Sequence, residues 1–186
     1  MRLLLAAALI ALPLAAQKAK PSNKDEKASK AEEAKPAKIE WDGEWNLKPS
    51  QSDKLDERIE EHVKDLNFAM KLWWKKKLKN EVPTFEKLDI LAGDSFSVTM
   101  GRETPIDTPT DGSVNEWKRR DGSTFQASLK KDGPTMKQTI QGDGYTLTLV
   151  YSMRPDGASM AVQVTYSHPK LDNPFTYKLV FRRNDA

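Results

Sequence analysis

Between residues 111 and 157 the dipeptide Asp-Gly recurs five times, at Asp111-Gly112, Asp121-Gly122, Asp132-Gly133, Asp143-Gly144 and Asp156-Gly157. Both residues tolerate the positive φ angles that tight hairpin turns demand, so each pair marks a reversal of the chain. The pairs lie ten to thirteen residues apart, which is room for one strand and one turn. Sequential hairpins at that spacing build a meander. The segments between the turns differ in composition, so the turns recur while the sequence does not.

Those segments alternate apolar and polar residues. Phe96, Val98 and Met100 interleave with Ser95, Ser97 and Thr99, and Phe125, Ala127 and Leu129 with Gln126, Ser128 and Lys130. Tyr145, Leu147, Leu149, Tyr151 and Met153 form one face of a later strand. Met160, Val162, Val164 and Tyr166 follow, and Phe175, Tyr177, Leu179 and Phe181 close the series. One apolar and one polar face per strand describes an antiparallel sheet wetted on one side. Eight or more such strands joined in order remove their edges by closing into a barrel. A two-sheet sandwich with a helix on one face is the alternative architecture.

The chain before this region reads differently. Trp41, Trp45 and Leu47 share one side of a first strand. A helix is expected over Asp53–Leu78. Ser52 suits its N-cap, Asp53, Asp56, Glu57, Glu60 and Glu61 crowd its first turns, and Lys71, Lys75, Lys76, Lys77 and Lys79 its last. Both charge clusters complement the helix dipole. Leu55, Ile59, Val63, Leu66, Met70 and Trp73 recur at steps of three and four and form one stripe. Pro83 marks the limit of the helix.

Met1-Arg2, the apolar run Leu3–Leu14 and Ala15-Ala16 have the layout of a cleavable signal peptide, with cleavage expected after Ala16. The run is shorter than the roughly 18 residues of a membrane span. Export to a periplasmic or extracellular compartment is therefore expected. Residues 17–38, rich in Lys, Ala and Glu, lack the apolar surface to offset ordering entropy and read as a disordered tether. One domain, residues 39–186, remains. The chain has no cysteine, which excludes disulfides, thiolate metal sites and a lipidated cysteine. Its net charge of +3 gives no field suited to nucleic acid, and a monomer is expected.

Gly43-Glu44-Trp45 on the first strand, the meander, and Arg182-Arg183 on the last strand resemble the lipocalin and calycin superfamily over roughly residues 39–183. The resemblance implies that Trp45 packs at the closed end of a barrel with an arginine lying across it. The helix after the first strand resembles the helical lid of fatty-acid-binding proteins. The implied function is binding of a small apolar ligand inside the barrel, at Phe96, Met100, Phe125, Tyr145, Tyr151, Met160, Tyr166 and Tyr177. The same side chains are also needed as core, and a barrel of about eight strands can be filled or can hold one small ligand.

Catalytic chemistry finds little support. Gly93-Asp94-Ser95-Phe96 resembles the Gly-Asp-Ser block of exported esterases, whose serine needs an Asp-x-x-His partner. The late histidine, His168, has Thr165 three positions before it. His62 and His168 are the only histidines, Glu57 and Glu61 read as a solvated pair, and Glu86 and Asp89 fall on opposite strand faces. No phosphate loop is present. Neither an enzyme nor a bound metal or cofactor is expected.

The segment from Lys71 to Lys79 sets Trp73-Trp74 beside a basic run, a composition suited to an anionic membrane interface. Trp73 belongs to the helix stripe and Trp74 lies at its margin, while Phe68 and Leu72 sit on the other side. The alternative function is thus an interaction module that holds a membrane or protein partner through Phe68, Leu72 and Trp74.

Overall fold

The computed structural model describes residues 39–184. The expected signal peptide and tether lie outside the described residues. The chain opens with strand β1 (Gly43–Leu47), a single 3₁₀ turn (Pro49–Gln51), and two helices, α1 (Leu55–Val63) and α2 (Phe68–Glu81). Nine strands follow: β2 (Lys87–Ala92), β3 (Ser95–Met100), β4 (Ile106–Pro109), β5 (Asn115–Lys118), β6 (Thr124–Asp132), β7 (Thr135–Gly142), β8 (Tyr145–Met153), β9 (Ser159–Ser167) and β10 (Phe175–Arg183).

All ten strands form one antiparallel sheet in the order β4-β3-β2-β1-β10-β9-β8-β7-β6-β5. This is the up-and-down barrel expected from the turns, not a sandwich. It closes where β1 meets β10, with Trp45 opposite Arg183 and Leu47 opposite Phe181. A seam remains between β4 and β5, which follow each other in sequence yet share no ladder. Side chains cross it instead. Trp117 Nε1 donates to Thr104 Oγ1 at 3.0 Å, Asn115 Nδ2 donates to the Asp107 carbonyl at 2.9 Å, and Arg119 meets Glu103 at 3.4 Å.

The five Asp-Gly pairs between β4 and β9 mark strand connections, four lying wholly within them and Asp132 ending β6 with Gly133 opening the turn. Each glycine there has positive φ, but among the aspartates only Asp143 does, at 49°. Asp111, Asp121 and Asp156 work through their side chains, accepting hydrogen bonds from the backbone N–H two residues on. Every apolar alternation read from the sequence faces the interior. On the wet face Ser128, Thr139, Thr148, Thr165 and Thr176 align in one cross-strand row.

The helical segment departs from the expectation of one helix over Asp53–Leu78. It breaks between Val63 and Phe68, where Asn67 caps α2 by accepting from Met70 N–H at 3.0 Å. Ser52 is not a helix cap. Its Oγ accepts from Val180 N–H at 2.9 Å and donates to the Lys48 carbonyl at 2.8 Å, which ties the chain to β10. The break also divides the apolar stripe. Ile59 and Val63 of α1 are fully buried, whereas Met70 and Trp73 are turned outward and Trp74 and Leu78 inward in their place.

Candidate ligand site at the barrel mouth

The helices and the β3–β4, β5–β6, β7–β8 and β9–β10 connections share one end of the barrel, here called the mouth. α2 is fastened to this end at its carboxyl terminus. Leu78, Val82 and Phe85 are buried, and Phe85 stacks on Phe181 with ring centroids 5.6 Å apart. Tyr177 donates to the Pro83 carbonyl at 2.5 Å, and Tyr166 donates to the Glu81 carboxylate. Trp74 meets His168 edge to face at 5.2 Å. Glu81 also receives Lys77 at 2.5 Å.

Below the mouth the barrel is filled by side chains. Phe96, Tyr151, Leu149, Met160, Val162 and Val164 are fully buried. Two further buried groups are polar, Thr108 on β4 and Gln138 on β7. They belong to one chain of hydrogen bonds. The Tyr151 hydroxyl donates to Gln138 Oε1 at 3.0 Å, Gln138 Nε2 donates to Thr108 Oγ1 at 3.0 Å, and Thr108 Oγ1 donates to the Phe96 carbonyl at 2.9 Å. This chain joins the β1–β4 half of the sheet to the β5–β10 half from the inside. Burial drives the Tyr151 and Tyr177 hydroxyls well above the ordinary tyrosine range.

A cleft of about 230 Å³ opens at the mouth, between the carboxyl end of α2 and the rim of the sheet. Phe85, Met100, Ile140 and Leu147 provide apolar walls, Trp117 and Tyr145 aromatic ones, and Lys79, Glu81, Glu103 and Arg119 the polar rim. The rim charges are already paired. Arg119 lies 3.4 Å from Glu103 and 3.8 Å from Asp121, and Lys79 lies 2.7 Å from Asp56. Burial pushes the Tyr145 hydroxyl up to about 12, so it stays protonated and able to donate at neutral pH. Such a cleft suits an uncharged apolar body with a hydrogen-bonding edge.

Of the eight residues expected to line a ligand cavity, Met100 and Tyr145 border this cleft. Phe96 borders a wider, separate depression of about 750 Å³ at the opposite end, one wall of which is residues 39–42. Phe125, Tyr151, Met160, Tyr166 and Tyr177 are built into the packed interior or the aromatic layer above it. Phe125 touches Tyr145, and Tyr145 touches Tyr166, with centroids 5.7 and 5.1 Å apart. Phe85, Trp117, Arg119 and Ile140 were not singled out from the sequence, and Leu147 was read there only as part of an inner strand face. Trp117, a lone aromatic between two Asp-Gly turns, carried a usable signal.

At the closed end Arg183 lies over Trp45, its guanidinium carbon 4.9 Å from the ring centroid, within the range of a cation–π contact. Arg182, its neighbour, is exposed. Phe68 and Leu72 are exposed as expected, but Trp74 is not a partner surface. It is 1% exposed because the break before α2 rotates it toward His168. Ser95 follows the β2–β3 turn, where Gly93 N–H donates to its carbonyl at 2.9 Å, and no histidine accompanies it. Among the described residues no cluster of three His, Asp or Glu side chains could hold a metal, and no helix is long and apolar enough to cross a membrane.

No family model matches the chain, and no curated protein matches it. Solved structures do. A secretary abundant heat soluble (SAHS) protein from Ramazzottius varieornatus aligns at a TM-score of 0.52 with 11% identity, over 77% of this chain and 95% of that one. A REP1-NXSQ fatty acid transporter aligns at 0.49 with 20% identity, over 78% and 96%. A zebrafish ileal bile-acid-binding protein complexed with cholic acid aligns at 0.47 with 14% identity, over 77% and 98%. At these identities the likeness is one of fold. Ten antiparallel strands in sequential order, a helix pair after the first, and the overlay on the heat-soluble protein together make this a calycin-like β-barrel.

Proposed function

We propose that this chain is an exported, non-enzymatic binding protein that holds one small apolar molecule in the cleft at the barrel mouth. The observation that carries the reading is the cleft itself. It pairs an apolar floor with a rim whose charges neutralise one another, and Tyr145 offers a protonated hydroxyl at its edge. Its volume of about 230 Å³ falls below the roughly 300–1,000 Å³ of drug-sized pockets, which points to a small ligand or to the inserted end of a longer one. The packed interior beneath keeps the ligand at the mouth. Among the described residues that line the cleft there is no nucleophile–base pair, so binding without chemistry is the reading in keeping with them.

The test is titration of the full chain with the uncharged fluorescent probe N-phenyl-1-naphthylamine. Leu147→Trp crowds the cleft wall and should lower probe affinity at least about tenfold, a loss of about 1.4 kcal/mol. Leu147 is 5% exposed, so the same change should also cost about 1–3 kcal/mol of stability, and affinity is read under conditions where urea unfolding shows the variant still folded. Phe68→Ser/Leu72→Ser, far from the cleft, should leave probe binding intact. Absence of probe binding by the unmutated chain, or indifference to Leu147→Trp, refutes the site. Export is tested separately by amino-terminal sequencing of the chain recovered outside the cytoplasm. Gln17 is the expected first residue, and Met1 would defeat it.

A further inference from the structure

The outward face of α2 serves neither the barrel nor the cleft. Six large apolar side chains are exposed among the described residues, and four of them (Phe68, Met70, Leu72 and Trp73) lie in the first two turns of this helix. Phe68 is 77% exposed, Leu72 one turn on is 53% exposed, and Trp73 beside it is 44% exposed. α2 contains five lysines and no acidic residue before its last, Glu81. Lys75, Lys77 and Lys79 are neutralised by Glu60, Glu81 and Asp56. Lys71 and Lys76, which border the apolar group, form no salt bridge among the described residues. Lys71 donates only to the Lys64 carbonyl, at 3.1 Å.

We propose that this face is a docking surface for an anionic lipid bilayer, with α2 lying along it. Phe68, Leu72 and Trp73 enter the acyl boundary, and Lys71 and Lys76 sit at the headgroups. A cluster of exposed apolar side chains interleaved with lysines, with no acidic residue in the helix before Glu81, matches such an interface in both polarity and charge. The same charge pattern disfavours a second copy of the chain. In a two-fold dimer the patch would face itself, bringing Lys71 and Lys76, which form no salt bridge among the described residues, toward their own copies. The surface stands apart from the ligand cleft, which lies at the carboxyl end of α2, and the inference does not depend on ligand binding.

Trp73 supplies a built-in reporter. The other four tryptophans, Trp41, Trp45, Trp74 and Trp117, are buried, so a quencher in a bilayer reads Trp73. The full chain is mixed with phosphatidylcholine vesicles, with or without phosphatidylserine, that carry a brominated lipid. Tryptophan quenching and a blue shift are expected only with phosphatidylserine present, and should disappear at high salt. Phe68→Ser/Leu72→Ser should abolish the quenching, and Lys71→Gln and Lys76→Gln should each weaken vesicle binding about fivefold. All four positions are outside the core, so an unchanged urea midpoint verifies that the variants fold. Absence of quenching with anionic vesicles overturns the proposal, as does quenching that survives Phe68→Ser/Leu72→Ser. Concentration-dependent dimerisation of the unmutated chain that this double variant abolishes also overturns it, by assigning the patch to a second copy.

Discussion

Gln138 is a polar residue in the middle of an apolar strand face, and replacing it by leucine tests how the barrel is held across its open seam. Gln138→Leu keeps the size of the side chain and removes both hydrogen bonds. The two partners are affected unequally. Thr108 Oγ1 still donates to the Phe96 carbonyl, so it keeps a partner. The Tyr151 hydroxyl, fully buried, has none left. The cost should therefore be that of one orphaned buried donor, about 1–3 kcal/mol. Tyr151→Phe strands Gln138 Oε1 by the same logic and should cost a similar amount. The double variant removes both ends of that bond, so its cost should fall short of the sum by about 1–3 kcal/mol. Urea unfolding of the four proteins, with equal m-values as the check on two-state behaviour, measures this coupling. Additivity within about 0.5 kcal/mol would refute the linked network, as would a neutral Gln138→Leu.

Three further outcomes follow from local geometry. Gly142→Ala places a Cβ 2.4 Å from Cδ1 of Phe125, whose ring is held between Trp117 and Tyr145, so it should destabilise the chain by roughly 1–3 kcal/mol through overpacking, read from the urea midpoint. Asn67→Ala removes the side-chain cap of α2 and should cost about 1 kcal/mol, while Asn67→Gly should cost only a few tenths by the same measurement. His62 packs edge-on against Phe175, and burial, aided by Arg58, lowers its pKa from the ordinary 6.5. A depressed folded pKa means that the neutral form is favoured by folding. Its contribution is whole above about pH 6.5 and is lost as pH falls through the folded pKa. Thermal unfolding followed from neutral to mildly acidic pH should therefore show a decline that is shallower in His62→Gln.

Much of the architecture is local chemistry and was legible in the residues. A turn depends on φ and ψ at two or three positions, so Asp-Gly located five strand connections without knowledge of any contact. Period-two alternation assigned Phe96, Leu147, Val162 and Tyr177 to the inner face because strand geometry alone fixes which side a residue takes. The helix break was half visible. Asn67 is a good cap, but the stripe from Leu55 to Trp73 fits a continuous helix equally well in isolation. Packing on the mouth settles it: the change of direction after Val63 buries Trp74 and Leu78 and leaves Trp73 in water. The partners of Gln138, thirty residues back on β4 and thirteen ahead on β8, exist only once the strands surround a common axis. Whether that axis is empty or filled depends on the summed volume of side chains from all the strands. No single strand carries that information, so the choice between a hollow barrel and a packed one with a cleft at its mouth belonged to the tertiary structure.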